Sequence, residues 1–190
     1  MAYAFTADTF SQNKETWDKM FEIVKPSRYL EIGSYEGRSL FYAVESIKKY
    51  RGTGLVTSID AWVDTMEVEQ RFKSNVAYAK EQNPAVTVEI RRGKSAQQTV
   101  MLLAEGRVNY YDLVYVDGAT EAPDVLNDLL MAYQLVRPGG LIICNNYLWT
   151  SRKGNPVLDP KMAIDVFTNV FYQKVGVMRA PLNQVYLHKV

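Results

Sequence analysis

The sequence contains very little cysteine and no long apolar run. Cys144 is the only cysteine among 190 residues, so an intramolecular disulfide cannot form, which is typical of a reducing compartment. No apolar run approaches membrane-spanning length, and residues 1–10 lack the basic region followed by an apolar block that marks a secretory signal. We therefore expect a soluble cytoplasmic protein without a membrane partner.

An excess of charge of one sign is also missing. The 22 basic and 21 acidic side chains give a formal net charge of +1, and no basic stripe is present. No overall field would attract nucleic acid, so we expect no nucleic-acid partner. A chain of 190 residues can bury the core of one domain and is too short for two ordinary ones. We predict a single domain over 1–190, in which a helical N-terminal segment, 1–27, packs on a central sheet.

Apolar residues recur with the periods of alternating helices and strands. Trp17 and Phe21 fall at helical spacing and predict a first helix over 11–25. Five short apolar segments, separated by helical patterns, predict strands over 28–33, 55–60, 86–91, 111–116 and 141–145. Two extended runs, 174–179 and 184–189, follow. The link between these runs is so short that they must pair antiparallel.

Two sequence signals predict how helices begin. Ser95 is followed three residues later by Gln98, the pattern of a capping box in which side chains and backbone exchange hydrogen bonds. Asp159 precedes Pro160, as expected of an N-cap followed by proline in the first helical turn. We therefore expect helices to begin near Ser95 and near Pro160.

The alternation of strands and helices predicts an α/β fold. Right-handed crossovers give a Rossmann-like, doubly wound, mostly parallel seven-stranded sheet with a C-terminal antiparallel hairpin. In such a sheet, ligands bind outside the carboxyl ends of the strands. The residues that follow successive strands should therefore share one edge.

The end of the first predicted strand carries a signal of a binding site. Gly33 and Gly37 bracket a turn in which free backbone N–H groups and a helix N-terminus can approach a ligand. By itself, this spacing fits a routine strand-to-helix turn equally well. Asp60 ends the second strand, where a carboxylate can accept the hydroxyl hydrogens of a ribose, although it could also cap a helix or face solvent. Trp62 could cover an adenine ring or pack on the sheet.

Four segments carry a recognisable pattern: Glu31 to Ser39, Ser58 to Trp62, Val114 to Gly118 and Arg137 to Gly140. In this order they resemble the motifs of class I S-adenosylmethionine-dependent methyltransferases. The subgroup they resemble is the small-molecule O-methyltransferases with a valine-aspartate-glycine motif after strand four. The resemblance covers nearly the whole chain. It implies S-adenosyl-L-methionine as the cofactor and a small-molecule acceptor methylated at a hydroxyl.

The resemblance also assigns roles to individual residues. It implies that Asp60 binds the ribose, that Ser95 contacts the adenine, and that Asp117 stands nearest the transferred methyl group as the catalytic residue. The implied cofactor contacts are Glu31, Gly33, Ser34, Gly37, Asp60, Ala61, Trp62, Gly93, Lys94, Ser95, Asp117 and Gly118. Their alternative roles are turn glycines, helix caps and a capped strand end.

Metal binding is left open by the residues that follow strands four and five. In metal-dependent members of the family these positions hold a divalent cation. Here they are Asp117, Asn145 and Asn146, whose side chains offer the oxygen donors that suit Mg²⁺. Relatives usually carry a second carboxylate where Asn145 stands, and its loss should weaken cation binding.

The general base is a second departure from the family. Thr120 stands where similar proteins often have a histidine, and the only histidine, His188, lies in the terminal hairpin. Asp117 is therefore the first candidate for the general base, and Glu121 and Asp124 are the next candidates. A substrate amine or an acidic hydroxyl would need less help.

Acceptor recognition is not assigned by any motif. The loop 147–154 combines aromatic residues with Arg152 and Lys153, so it could be a lid that contacts a ring and an anionic group. It could equally be a solvated loop anchored by Trp149. The N-terminal helix, or a neighbouring subunit in a homodimer, could also contribute.

Two other functions compete with methyl transfer. A catalytically degenerate protein that still binds the nucleoside cofactor would explain the missing histidine and the missing second carboxylate. An NAD-dependent oxidoreductase shares the glycine turn and the ribose-binding acid, but its usual G-x-G-x-x-G is absent. The terminal hairpin also argues against it.

Overall fold

The computed structural model describes residues 2–63, 66–151 and 154–190. Its strands are β1 Arg28–Ile32, β2 Gly54–Asp60, β3 Val86–Arg92, β4 Tyr111–Val116, β5 Val136–Cys144, β6 Val175–Met178 and β7 Val185–Lys189. Its helices are α1 Lys14–Val24, α2 Arg38–Arg51, α3 Met66–Gln82, α4 Ser95–Ala104, α5 Ala122–Leu135 and α6 Pro160–Val170. Within the described ranges, no helix has both the length and the apolar character needed to cross a bilayer.

All seven strands form one sheet in the order β3-β2-β1-β4-β5-β7-β6. Strands β1 to β5 pair in parallel, while β7 lies antiparallel between β5 and β6. The predicted mostly parallel sheet with a C-terminal hairpin is therefore confirmed. Because β1 has β2 on one side and β4 on the other, the chain reverses direction across the sheet at β1. The crevice at such a reversal is where ligands bind in open α/β sheets.

Helices cover both faces of the sheet, and the strand residues alternate between two cores. On β4, Leu113 and Tyr115 belong to the cluster that packs under α1, α2 and α3. Val114 and Val116 belong to the cluster under α4, α5 and α6. This alternation follows from the two-residue period of a strand, and burial on both faces explains the nearly continuous apolar run.

The N-terminal residues before α1 take a form that the sequence did not predict. Residues 4 and 75 exchange two hydrogen bonds of 2.9 Å, between the backbone of Ala4 and the side-chain amide of Asn75. The backbone N–H and the hydroxyl of Thr6 both donate to the buried Glu36, each at 2.6 Å. Residues 2–10 therefore lie as an irregular segment fixed to α3 and to the turn after β1.

Both helices begin where expected, and Asp159 and Pro160 take the predicted N-cap and first-turn positions, but neither helix has the predicted side-chain capping hydrogen bond. Ser95 is the first residue of α4 rather than its N-cap, and the Gln98 amide donates instead to the Arg92 carbonyl at 3.2 Å. Asp159 occupies the N-cap position of α6 without capping it. Its carboxylate accepts hydrogen bonds from Thr150 and Ser151, because the preceding loop folds back onto it.

Strand β5 begins earlier than predicted. Residues 136–140 precede the predicted strand 141–145, yet they already lie in β5 beside β4, with a shift of register between Tyr111 and Leu113. The approach is close, since a Cβ atom on Gly140 would lie 2.9 Å from the Asp112 carbonyl oxygen. The Arg137 guanidinium donates to the Asp112 carboxylate at 2.6 Å and fixes this irregular pairing.

Candidate active site

A cavity of about 660 Å³ opens at the carboxyl ends of β1, β2 and β4. All the cofactor contacts implied by the sequence line it except Glu31 and Gly37. Those lining it are Gly33, Ser34, Asp60, Ala61, Trp62, Gly93, Lys94, Ser95, Asp117 and Gly118. Their convergence follows from the parallel sheet, which brings the ends of neighbouring strands to one edge.

The turn after β1 lies against the end of β4. Gly33 has φ of +87°, and a Cβ atom there would overlap the Asp117 carbonyl oxygen and lie 2.5 Å from the Gly118 Cα atom. Gly37 also has φ of +87°, and its Cβ atom would overlap the Phe41 ring. Only glycine adopts this backbone conformation without strain and allows such close approach. Gly33 therefore allows the close approach of β1 to the end of β4 at the cavity, whereas Gly37 packs against Phe41 at the start of α2 and does not itself line the cavity.

Asp60 fixes the glycine turn through its side chain. Its Oδ2 atom accepts hydrogen bonds from the backbone N–H groups of Ser34 at 2.9 Å and Tyr35 at 2.8 Å. Its Oδ1 atom accepts one from the backbone N–H of Trp62 at 2.8 Å. A carboxylate has about four acceptor positions, so about one remains for a ligand hydroxyl. The sequence did not reveal this structural role, and ribose binding by Asp60 stays a prediction.

Trp62 both packs in the core and borders the cavity. Its ring centroid lies 4.7 Å from that of Phe72, and its indole N–H donates to the Tyr35 carbonyl at 2.9 Å. The side chain is buried, yet it forms part of the cavity wall. The two alternatives that the sequence left open are therefore compatible.

Glu31 is fully buried beneath the cavity and does not line it. The Tyr29 hydroxyl donates to one carboxylate oxygen, and the Ser39 hydroxyl donates to the other at 3.0 Å. Burial raises the pKa of the Glu31 carboxyl to about 8, because these hydrogen bonds offset only part of the cost of desolvating a charge. Any effect of Glu31 on a cofactor must therefore pass through its neighbours.

Replacing Glu31 with glutamine should remove a pH dependence from the stability. A glutamate in an unfolded chain titrates near about 4.3, whereas Glu31 titrates at about 8 in the fold. Between these values the folded state binds the extra proton. The free energy of unfolding of the wild type should therefore fall as pH rises, by up to about 1.4 kcal/mol per pH unit. Glutamine carries no such proton, so urea denaturation at several pH values should show a flatter profile for Glu31→Gln. Identical slopes in the two proteins would refute this assignment.

Asp117 directly follows β4 and faces the cavity within a shell of hydrogen-bond donors. The side-chain amides of Asn145 and Asn146 donate to its Oδ1 atom at 2.8 and 3.0 Å. The Tyr115 hydroxyl donates to Oδ2 at 3.0 Å. Burial raises the pKa of the Asp117 carboxyl to about 6 despite these three donors, and the negative charge of Asp60 adds to the rise. Asp117 is therefore a carboxylate held in one orientation, with a proton affinity above that of an ordinary aspartate.

The side chains present do not fit the metal site suggested by the sequence. Asn145 and Asn146 do lie beside Asp117, as predicted, but both turn their NH₂ groups toward its carboxylate. A cation requires oxygen atoms in those positions. Across the described ranges, no three histidine, cysteine, aspartate or glutamate side chains converge in a way that could hold a metal ion.

The other candidate bases differ in their access to the cavity. Asp124 lines it at the start of α5, whereas Thr120 and Glu121 do not. His188 is exposed on β7, in register with Leu141, and does not line the cavity. Among the described residues, four carboxylate side chains therefore line the cavity: Asp60, Glu36, Asp117 and Asp124. Asp60 holds the glycine turn and Glu36 holds Thr6, which leaves Asp117 and Asp124 as the candidate bases.

The sequence missed the contribution of the irregular N-terminal segment. Phe5, Ala7 and Thr9 form part of the cavity wall. The Arg38 guanidinium lies 4.4 Å from the centroid of the Phe5 ring, and its Nε atom donates to the Ala7 carbonyl at 3.2 Å. No local pattern in residues 2–10 could have indicated this contact.

The predicted lid differs from expectation where it is described. Tyr147 donates from its hydroxyl to Asp165 at 2.8 Å, which anchors the loop to α6. Trp149 is partly exposed, and neither aromatic lines the cavity. Arg152 and Lys153 lie outside the described residues, so their predicted contact with an anionic group stays a prediction.

Fold and site together define a class of protein. A sheet with β7 antiparallel between β5 and β6, and a cavity over the ends of β1, β2 and β4, is the arrangement of a Rossmann-like methyltransferase. Residues 30–147 match the family model described as a methyltransferase domain, which covers more than half of the chain. The chain belongs to this methyltransferase family.

Individual relatives support the same family. The chain is 27% identical over 150 residues to tricin synthase 1 from Oryza sativa subsp. japonica, covering 77% of the chain and 55% of the relative. It is 30% identical over 133 residues to caffeoyl-CoA O-methyltransferase from Stellaria longipes, covering 68% of the chain and 50% of the relative. The chain thus spans about half the length of the curated relatives it matches.

A solved structure shares the fold. The O-methyltransferase from Bacillus cereus in complex with SAH (S-adenosylhomocysteine) superposes with a TM-score of 0.72 at 18% identity. The match covers 97% of this chain and 84% of that one.

Proposed function

We propose that this chain is an S-adenosylmethionine-dependent methyltransferase that methylates a hydroxyl of a small molecule. The observation that carries the proposal is the convergence of the glycine turn, Asp60 and Asp117 on one cavity. The family membership and the fold shared with an SAH-bound O-methyltransferase support it. The same cavity has a volume suited to a small organic ligand.

The residues implied by the family have the chemistry to bind the cofactor. Ser34, Ala61, Gly93 and Ser95 all border the cavity, and the Gly93 N–H donates to the Asp60 carbonyl oxygen at 2.9 Å. S-adenosylmethionine, when bound, supplies a methyl group on a sulfonium: the C–S bond breaks, a C–O bond to the acceptor forms, and S-adenosylhomocysteine leaves. The protein has to align the acceptor and remove its hydroxyl proton.

Asp117 is the residue we assign to the proton. Its carboxylate faces the cavity, three donors fix its orientation, and burial raises its pKa to about 6. A carboxylate with a raised pKa removes a proton more effectively than an ordinary one while it is still ionised at neutral pH. Asp124 also faces the cavity and is the alternative base.

The acceptor should meet the N-terminal segment. Phe5 presents an aromatic ring to the cavity, and Ala7 and Thr9 continue the same wall. We therefore assign acceptor recognition to this segment together with the loop that follows β5. In the same proposal the chain acts as one domain, in the cytoplasm, on a small molecule and without nucleic-acid or membrane partners. A homodimer would allow a neighbouring subunit to complete the acceptor site.

Calorimetry with S-adenosylhomocysteine and with NAD⁺ tests the cofactor assignment. We expect one S-adenosylhomocysteine per chain and no detectable NAD⁺ binding. Methyl transfer from S-adenosylmethionine to a panel of phenols and other small hydroxyl compounds tests the activity. Absence of S-adenosylhomocysteine binding would contradict the proposal. Binding without turnover across the panel would favour a degenerate cofactor-binding protein, since Thr120 and Asn145 replace catalytic residue types found in relatives.

A further inference from the structure

A line of buried and partly buried polar side chains connects α1 with Asp117. The Trp17 indole N–H donates to Gln184 Oε1 at 2.9 Å, and the Tyr186 hydroxyl donates to the same oxygen at 2.6 Å. Gln184 Nε2 donates to Asn145 Oδ1 at 2.9 Å, and Asn145 Nδ2 donates to Asp117 Oδ1 at 2.8 Å. We call Trp17, Tyr186, Gln184 and Asn145 the amide relay.

Trp17 fixes the direction of the whole relay. An indole nitrogen can only donate a hydrogen bond, so the atom of Gln184 that faces it must be the oxygen. The Gln184 NH₂ group must then face Asn145, which in turn must present its oxygen to Gln184 and its NH₂ group to Asp117. Trp17 is fully buried and Gln184 nearly so, and water therefore cannot replace these partners.

Two branches of the relay point the same way. Gln184 Nε2 also donates to the Tyr115 hydroxyl at 3.2 Å, which directs the hydroxyl hydrogen onto Asp117 Oδ2 at 3.0 Å. Asn145 Nδ2 also lies 3.3 Å from Asn146 Oδ1, so that the Asn146 NH₂ group faces Asp117 at 3.0 Å. Every amide around the carboxylate is thereby oriented as a donor.

A divalent cation at Asp117 conflicts with this arrangement. To bind the ion, Asn145 would have to turn its oxygen toward Asp117 and its NH₂ group toward the NH₂ group of Gln184. If Gln184 turned as well, its NH₂ group would meet the Trp17 N–H. The first rotation leaves the buried NH₂ group of Gln184 facing another donor, and the second does the same to the buried Trp17 N–H, which is unfavourable.

We propose that Trp17, Tyr186 and Gln184 are positioning residues that hold the Asn145 amide with its nitrogen toward Asp117, so that hydrogen-bond donors replace a divalent cation at this carboxylate. The inference rests on the proposed function, because its consequence is that the proposed methyl transfer does not depend on a metal ion. It makes the amide of Gln184, which lies outside the cavity, the determinant of metal dependence.

Binding of Mn²⁺, followed by its electron paramagnetic resonance signal in the full chain, tests the inference without any turnover. The wild type should show no site that depends on Asp117. Gln184→Glu should gain a Mn²⁺ site that depends on Asp117 and is about 10- to 100-fold tighter than any residual binding by the wild type. A carboxylate there still accepts from Trp17 and Tyr186, but it now accepts from Asn145 too, which turns the Asn145 oxygen toward Asp117.

Two further variants separate orientation from charge. Asn145→Asp supplies the second carboxylate directly and is the positive control for a cation site. Asn183→Asp adds the same charge one residue from Gln184, where the side-chain amide contacts Asn13 instead of the relay, and should leave Mn²⁺ binding unchanged. Thermal melting checks that each variant folds. If Gln184→Glu fails to fold, Gln184→Met takes its place, since it removes the donor that holds the Asn145 oxygen.

The outcomes decide between the alternatives. A gain in both the Gln184 variant and Asn145→Asp supports the relay. A gain in Asn145→Asp alone overturns it, because the number of carboxylates would then be decisive. Tight Mn²⁺ binding by the wild type that is lost in Asp117→Asn also overturns it, as does the absence of any gain. Failure of methyl transfer with every acceptor would refute the proposed function and leave these binding results standing.

Discussion

Replacing Asp117 with asparagine should lower the turnover number for methyl transfer by about 10²- to 10⁴-fold, the usual contribution of a general base. The substitution preserves the shape of the side chain. Its oxygen can still accept from Asn145 and Asn146, and the Tyr115 hydroxyl would have to turn its hydrogen away from the new NH₂ group in order to accept from it. The fold and the cavity should therefore survive, while the group that removes the proton is lost. Initial rates at saturating S-adenosylmethionine measure the effect.

Asp124→Asn is the matched control for Asp117. It makes the same chemical change at another carboxylate that lines the cavity, and we expect a much smaller loss of turnover. Calorimetry should show S-adenosylhomocysteine affinity within about tenfold of the wild type for both variants, since a tenfold change corresponds to only about 1.4 kcal/mol. Full turnover by Asp117→Asn would show that Asp117 is not the base. A larger loss in Asp124→Asn would transfer the role to that residue.

Replacing Gly33 with alanine should cost about 2–5 kcal/mol of unfolding free energy and abolish S-adenosylhomocysteine binding. The new Cβ atom would overlap the Asp117 carbonyl oxygen and lie 2.5 Å from the Gly118 Cα atom, so two strand ends would have to separate. Alanine would also be strained at φ of +87°. Urea denaturation and calorimetry measure the two effects.

Gly52→Ala separates the steric clash from the backbone strain. Gly52 follows α2 with φ of +77°, but a Cβ atom there would meet nothing within 4 Å. Only the conformational cost should remain, about 1–2 kcal/mol, and cofactor binding should be unchanged. If Gly33→Ala were no more destabilising than Gly52→Ala, the close approach of β1 and β4 would not contribute to stability.

The outline of the site could be predicted because it depends on local patterns. Strand and helix periods identify each strand end, and a parallel sheet brings those ends to one edge, so Gly33, Asp60 and Asp117 were placed together correctly. What each side chain does there could not be predicted in the same way. The sequence did not show that Glu31 is buried beneath the cavity, or that Asp60, which does line it, also holds the glycine turn.

By itself, the sequence determined the fold class, the edge of the sheet that forms the site and ten of the residues that line the cavity. The period of apolar residues and the positions of glycine and proline are local, and they suffice for these features. Only the tertiary structure decided the orientation of the amides around Asp117 and the place of residues 2–10. The physical reason is distance along the chain. Trp17 and Gln184 are 167 residues apart, so the hydrogen bond that orients the Gln184 amide can form only after folding has brought the two residues together.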